Sequence, residues 1–177
     1  MLLLNRLTAT YGIKFDDGQT VCTAFPRPEE IATASGESLR ALGFSHQKAR
    51  AMIELATTLV HRQRDFSLLE GMNNEEVSTY ISPIRGVGRW TVEYVLLRGL
   101  GRIDMFPGDD VGAQNNLQRL LHLAEKPTYE TIKAATSAWQ PYAGLVYFHL
   151  LLANLSKKGV LLERGEMVIK CDPLESM

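Results

Sequence analysis

Residues 82–112 constrain the fold of this 177-residue chain more than any other stretch. Gly86 and Gly88 bracket Val87, and a run of apolar side chains at helical spacing follows over residues 91–100. Glycine reaches positive φ at little cost and lets a second backbone or a ligand approach closely. The pattern predicts a tight turn that opens onto a helix N-terminus, where unpaired N–H groups and the helix dipole favour an anion such as phosphate.

Basic side chains surround this turn, and Glu93 is the one acidic residue between the first and the last of them. The basic residues are Arg85, Arg89, Arg98 and Arg102. Gly-x-Gly by itself is a weak pattern, and more often it is a helix–helix turn with a solvated basic face. The net charge of −1 excludes a basic nucleic-acid coat, although a main-chain anion site with a few arginines needs less bulk charge.

Two longer strings resemble motifs of a known superfamily. Residues 84–97, Ile-Arg-Gly-Val-Gly-Arg-Trp-Thr-Val-Glu-Tyr-Val-Leu-Leu, resemble the helix-hairpin-helix of the base-excision DNA glycosylases. Residues 106–112, Phe-Pro-Gly-Asp-Asp-Val-Gly, resemble the Gly/Pro-rich loop and aspartate that follow it in the same order and at the same separation. The resemblance runs over roughly residues 11–152 and is greatest to the DNA-3-methyladenine glycosylase II branch, which removes alkylated bases.

The resemblance implies an all-α, two-lobed helix-hairpin-helix glycosylase fold with the active-site cleft between the lobes. We expect one domain over residues 1–156, with a hairpin lobe over about 26–123. The second lobe is expected to combine the N-terminal helix with residues of about 127–156. Residues 157–177 are expected to be a C-terminal tail, in which two apolar triplets could form a small hairpin.

Apolar periodicity and capping signals predict helices along most of the chain. Their expected ranges are 2–10, from 28, 39–42, 46–62, 66–69, 74–81, 91–100, 111–122, 127–139 and from 141. Residues 14–23 are polar and predict a loop with at most a short extended piece. The last helix is apolar almost all round, so we expect a buried spine in which His149 is a hydrogen-bonded core residue.

The N-terminal part of the family pattern has no counterpart in this chain. In the family, a helix and a Gln-rich, Ser-containing motif come before this position and carry the apolar wedge that fills the gap left by an extruded base. Three explanations stay open: the sequence is truncated, its start is misplaced, or another chain supplies the missing part.

Asp110 matches the catalytic aspartate of the resembled family, in the Gly/Pro-shaped loop after the hairpin. Base excision passes through a transition state like an oxocarbenium ion, so an enzyme needs a negative charge near that carbon and a positioned water. Asp109 is the neighbour that could be confused with it, and one of the two aspartates could instead be the N-cap of the next helix. With both motifs in register, the resemblance favours Asp110 as the catalytic group.

Trp90 occupies the position at which strand-cutting relatives carry a lysine that forms a Schiff base with the sugar. An indole has no such amine, so the resemblance implies a monofunctional glycosylase. The indole ring can stack on a cationic alkylated purine, with a cation–π energy of about 1–2 kcal/mol. A core tryptophan that packs the hairpin is the alternative. Tyr147 is a second candidate for the base pocket, again with core packing as the alternative.

The resemblance also assigns contacts to DNA and to a cation. The residues that would hold the phosphate backbone are Gly86, Gly88, Arg89 and Thr91. The main-chain oxygens that would hold a monovalent cation, Na⁺ or K⁺, are those of Ser82, Ile84 and Val87. No further cofactor is expected, since no Cys/His/Asp/Glu cluster has metal-ligand spacing.

Cys22 and Cys171 stand far apart and fit neither a metal nor a redox motif, so reduced thiols are the simplest interpretation. The iron–sulfur loop of some relatives needs four cysteines and is not expected here. No apolar run approaches the roughly 20 residues of a membrane span. We therefore expect a monomer in the cytoplasm, associated with the nucleoid in a prokaryote.

The sequence thus predicts a monofunctional glycosylase that flips an alkylated, 3-methyladenine-like base out of double-stranded DNA. Asp110 would assist the attack of water on the N-glycosidic bond. The alternative is a non-catalytic helix-hairpin-helix module that binds DNA. An unrelated helical interaction domain is a third hypothesis, and it predicts no affinity for DNA.

Overall fold

A computed structural model describes residues 2–16, 18 and 21–157 of the chain. These residues form nine α-helices, one 3-10 helix, one π-helical turn and a two-stranded sheet. They group into two compact units, the first ending at Gly88 and the second beginning at Arg89. No helix in the described ranges is long and apolar enough to cross a bilayer.

The first unit begins with helix α1 (Leu2–Tyr11) and an antiparallel hairpin of β1 (Ile13–Asp16) and β2 (Val21–Ala24). The register pairs the first residue of β1 with the last of β2, and the last of β1 with the first of β2. At the turn, Gly18 has φ of +84° and its N–H donates to Asp16 Oδ1 at 2.8 Å. The predicted loop is therefore a short sheet, the one departure from an all-helical chain in the part that is described.

Five helical segments complete the first unit, and short polar side chains cap most of them. They are α2 (Pro28–Ala32), α3 (Gly36–Ala41), α4 (His46–Val60), a 3-10 helix (Phe66–Gly71) and α5 (Asn74–Ile81). Ser45 accepts the Lys48 N–H at the start of α4. Asn73 forms a capping box with Glu76 at the start of α5.

Leu7 of α1 is fully buried in the core of the first unit. It shares that core with side chains of α2, α3 and α4, among them Ile31, Leu39 and Ala56. The N-terminal helix therefore packs within the first unit. The predicted division into lobes stays a prediction.

The second unit contains α6 (Arg89–Tyr94), which continues as a π-helical turn (Val95–Gly99), and three further helices. The further helices are α7 (Val111–Leu120), α8 (Tyr129–Ser137) and α9 (Ala143–Lys157). Their shared core consists of Leu97, Phe106, Ala113, Leu117, Ile132, Ala143 and Tyr147.

Helix α9 is buried on one side alone. Ala143 and Tyr147 lie in the core, whereas Leu145, His149 and Leu152 are exposed along one stripe of the helix. The predictions of an all-round buried spine and of a core histidine are therefore wrong, because apolar composition does not by itself supply a partner for every face. The hairpin predicted in the tail lies outside the described residues.

Gly144 provides a test of packing in the second unit. Its N–H donates to the Ile103 carbonyl at 2.7 Å, and an added Cβ would lie 2.5 Å from Leu97 Cδ1 and 2.7 Å from the carbonyl oxygens of Ile103 and Met105. We expect Gly144→Ala to lower the free energy of unfolding by about 1–3 kcal/mol, measured by urea denaturation. Gly36→Ala is the matched control, since no described atom lies within 4 Å of its added Cβ. Equal effects of the two substitutions would contradict this account of the packing.

Candidate active site

The turn after α5 has the geometry that its glycines predict. The Ile84 N–H donates to the Ile81 carbonyl and the Val87 N–H donates to the Ile84 carbonyl, both at 3.0 Å. Gly86 has φ of +82°, a conformation that favours glycine. Gly88 differs: its φ is not positive, and no described atom lies within 4 Å of a Cβ built on it. The fold therefore requires the first glycine and tolerates a side chain at the second.

The carbonyls predicted to hold a monovalent cation belong to the same turn. The Ile84 oxygen accepts the Val87 N–H, which leaves its second lone pair for a cation. Ser82 keeps helical backbone angles at the end of α5. In the described ranges, no group of three or more His, Cys, Asp or Glu side chains is arranged to hold a metal ion. The cation site stays a prediction.

Helix α6 begins at Arg89 and widens into a π-helical turn, where the Leu100 N–H reaches back five residues to the Val95 carbonyl. The sequence predicts a regular helix over residues 91–100. Single π turns within helices are frequent at functional sites. Thr91, a predicted DNA contact, lies half-buried in the first turn of α6.

Asp110 is the N-cap of α7 and also the meeting point of two other side chains. Its Oδ1 accepts the Ala113 N–H at 2.8 Å. Its Oδ2 faces the Trp90 indole N–H at 3.3 Å and the Tyr147 hydroxyl at 3.2 Å, and both donate to it. Asp110 is therefore the N-cap of α7 through one oxygen, while an indole and a phenol hold the other. Capping leaves the second oxygen for other contacts, and the catalytic role of Asp110 stays a prediction.

Trp90 is not a core tryptophan. Its side chain is 41% exposed, and its ring stacks on Tyr94 with centroids 4.9 Å apart and planes inclined by 26°. Arg98 donates to the Tyr94 hydroxyl at 2.6 Å and lies over the same ring. The indole is thus fixed by a stacked ring and by Asp110 while part of its surface remains open to solvent.

Tyr147 contributes a hydroxyl to the site and its ring to the core. The residue is 3% exposed, and its ring packs edge-on against Phe106 at 5.7 Å. Burial, and after it the nearby charge of Asp110, raises the pKa of Tyr147 above its ordinary value, so the hydroxyl stays a donor. The hydroxyl of Tyr147 therefore adds a contact to Asp110 while the ring packs in the core. The part of Tyr147 in a base pocket stays a prediction.

Asp109 is engaged elsewhere. Arg89 donates to both of its carboxylate oxygens, at 2.7 and 2.9 Å, and the guanidinium lies 3.6 Å from the ring centroid of Tyr129. The hydrogen bond to Asp109 is the largest cause that raises the pKa of Arg89. The sequence predicts Arg89 as a contact to DNA phosphate, and that role stays a prediction for a side chain already paired here.

Glu93 is the site residue that the sequence analysis misses. It is 5% exposed, its Oε1 accepts the Tyr129 hydroxyl at 2.6 Å and its Oε2 accepts the Gly108 N–H at 3.1 Å. Burial raises the pKa of Glu93, and the two hydrogen bonds offset part of that rise. A signal exists in the sequence: Glu93 lies three and four positions before Leu96 and Leu97, on the buried face of the helix.

Comparison with known proteins identifies the family. Residues 2–141 match the family described as HhH-GPD superfamily base excision DNA repair protein. The chain belongs to this superfamily. Membership is inconsistent with the hypothesis of an unrelated helical interaction domain.

Several HhH-GPD relatives are named for the removal of alkylated bases. The alkylbase DNA glycosidase-like protein mag2 of Schizosaccharomyces pombe is 32% identical over 137 residues, which are 76% of this chain and 64% of that protein. The structure of 3-methyladenine DNA-glycosylase from Archaeoglobus fulgidus has a TM-score of 0.73 and 29% identity, and covers 85% of this chain and 50% of that one.

A third relative has been solved with DNA. The 3-methyladenine DNA glycosylase Mag1 of Schizosaccharomyces pombe, in complex with abasic DNA, has a TM-score of 0.71 and 29% identity over 84% of this chain and 68% of that one. The chain spans about half the length of curated relatives such as DNA-3-methyladenine glycosylase 2 of Escherichia coli, of which it covers 49%.

The double role of Asp110 predicts different effects for two substitutions. We expect Asp110→Ala to lower the free energy of unfolding by about 1–2 kcal/mol, because it removes the cap of α7. Asp110→Asn keeps an oxygen for the Ala113 N–H, so its loss should be smaller. Urea denaturation measures both values, and equal losses would contradict the capping role.

Proposed function

We propose that this chain carries out monofunctional DNA glycosylase chemistry, hydrolysing the N-glycosidic bond of alkylated, 3-methyladenine-like bases in double-stranded DNA. The observation that carries the proposal is the fixed carboxylate of Asp110, held by Trp90 and Tyr147 through neutral donors. The membership of the HhH-GPD superfamily and the names of the relatives support the same chemistry.

Hydrolysis of an N-glycosidic bond needs a negative charge near C1′. As the bond breaks, the electron pair leaves with the base and positive charge develops on the sugar, where a preorganised carboxylate stabilises it. Water then forms the new C–O bond at C1′ and loses its proton, which leaves an abasic sugar. A cationic alkylated base is a good leaving group, so one aspartate and no strong general acid suffices.

The exposed indole of Trp90 fits the recognition of such a base. A cationic purine stacked on it would gain about 1–2 kcal/mol from the cation–π interaction. Its N–H bond to Asp110 keeps the stacking surface beside the carboxylate. An indole in place of an amine cannot form a Schiff base, so the enzyme would release the base without cutting the strand.

The turn before α6 fits a role in holding DNA. Gly88 has neither a positive φ nor a neighbour among the described residues that would exclude a side chain, so the close approach of something outside the chain would explain the glycine. Main-chain N–H groups at the start of a helix suit a phosphate. The partner would be double-stranded DNA with a damaged base. The protein would bind it as a monomer, in the cytoplasm of a prokaryote, where the chromosome lies.

An excision assay tests the proposed activity. We expect the wild type to release 3-methyladenine from methylated DNA and to leave the strand intact, and Asp110→Asn to lower the rate by at least about 100-fold while DNA binding in a gel assay is retained. Asp65→Asn is the matched control, since Asp65 also caps a helical segment but belongs to the first unit, whereas Asp110 belongs to the second.

The possible outcomes separate the hypotheses. Release at the wild-type rate by Asp110→Asn would contradict the role of the carboxylate. A folded wild type that binds DNA and releases no base would favour the non-catalytic DNA-binding module instead. Covalent trapping on abasic DNA by borohydride would contradict the monofunctional mechanism.

The open surroundings of Gly88 give a separate prediction about DNA binding. Gly88→Ala should leave the thermal stability unchanged and weaken DNA binding by about tenfold, because a methyl group would separate one N–H from its phosphate. Gly71→Ala is the control, an exposed glycine with similarly open surroundings. Fluorescence anisotropy with labelled duplex DNA measures both affinities, and equal affinities would contradict a contact at this turn.

A further inference from the structure

Three consecutive residues of the loop before α7 are each held by a different side chain of α6. Glu93 accepts the Gly108 N–H, and Arg89 forms a bidentate pair with Asp109. The indole N–H of Trp90 donates to Asp110, the third of the loop residues. The three donors and acceptors lie at positions 89, 90 and 93, which share one face of a helix.

The ring of Tyr129 links two of these contacts. Its hydroxyl donates to Glu93 at 2.6 Å, while its ring carries the guanidinium of Arg89 at 3.6 Å. A Cβ built on Gly108 would lie 2.8 Å from the same ring, so the loop backbone packs directly against it. Glu93 therefore fixes the loop both by its own hydrogen bond and by orienting the ring against which the loop lies.

We propose that Glu93, together with Tyr129, is a positioning residue that fixes the carboxylate of Asp110 for base excision. The inference rests on the proposed function and deepens it, since neither side chain has to touch the substrate. A carboxylate is suited to the place because it accepts from two donors at once. Glutamine offers one oxygen, and its NH₂ group would face one of the two donors.

The protonation of Tyr129 agrees with this role, and the two hydrogen bonds of Glu93 suit a carboxylate. Burial and the hydrogen bond to Glu93 raise the pKa of Tyr129 to about 12, so its hydroxyl remains a donor at neutral pH. A carboxylate buried to this extent is costly unless it is hydrogen-bonded, and both of its oxygens are. An apolar side chain at position 93 could fill the same space at a lower desolvation cost, but it would not accept the Gly108 N–H.

The first test separates the rate of chemistry from affinity. We expect Glu93→Gln and Tyr129→Phe each to lower the single-turnover rate of excision by about 10- to 100-fold, and to leave affinity for duplex DNA with an abasic analogue unchanged. The double variant should lose no more than the worse single variant. Tyr11→Phe is the matched control, since it also removes a 2.6 Å hydroxyl bond, to Ser38 in the first unit.

A second readout does not depend on activity. The indole N–H of Trp90 donates to Asp110, so its NMR resonance, assigned with Trp90→Phe, reports the position of the carboxylate. It should shift in Glu93→Gln and in Tyr129→Phe and stay in place in Tyr11→Phe. If Glu93→Gln does not fold, Tyr129→Phe alone tests the positioning role, because it retains the ring that packs against the loop.

An unshifted indole resonance in the folded variants, or a rate loss that Tyr11→Phe reproduces, would overturn the positioning role. A wild type that releases no base would contradict the proposed function and with it the part of the inference that concerns excision. The indole resonance would then show by itself whether Glu93 and Tyr129 hold the carboxylate of Asp110 in place. A shift together with a loss of rate at constant affinity is the result that we expect.

Discussion

The hydrogen bonds to the carboxylate of Asp110 are the contacts on which the rest of the site depends. They join three helices at one side chain: α7 through the Ala113 N–H, α6 through Trp90 and α9 through Tyr147. Each of these three donors is neutral. A charge held in this way stabilises a developing positive charge with little reorganisation, which is the main requirement of glycosidic bond cleavage.

The loop before α7 contains a second aspartate, which is paired with an arginine. Arg89 is bonded to Asp109, the residue beside Asp110, and rests on Tyr129. If the guanidinium were bonded to Asp110 instead, it would reduce the negative charge available to the sugar of the proposed DNA substrate. Asp109 therefore pairs with the guanidinium of Arg89. Glu93 accepts the hydroxyl of Tyr129, the ring on which that guanidinium lies.

The sequence predicts much of the local structure because local rules determine it. The turn at Gly86 and the start of α7 at Asp110 are visible in short strings. The contacts that define the site are not visible, because they join residues 15 to 37 positions apart. Glu93 illustrates the difference: its charge suggests solvent, and its burial depends on donors supplied by α8 and by the loop.

The role of Asp110 is tested most directly by a crystal structure of the wild type bound to duplex DNA that contains a tetrahydrofuran abasic analogue. We expect the C1′ position to lie within about 3.5 Å of an Asp110 carboxylate oxygen, with the exposed face of Trp90 turned to the place of the missing base. A flipped sugar beyond contact with Asp110, or a duplex bound with no flipped nucleotide at this site, would contradict it.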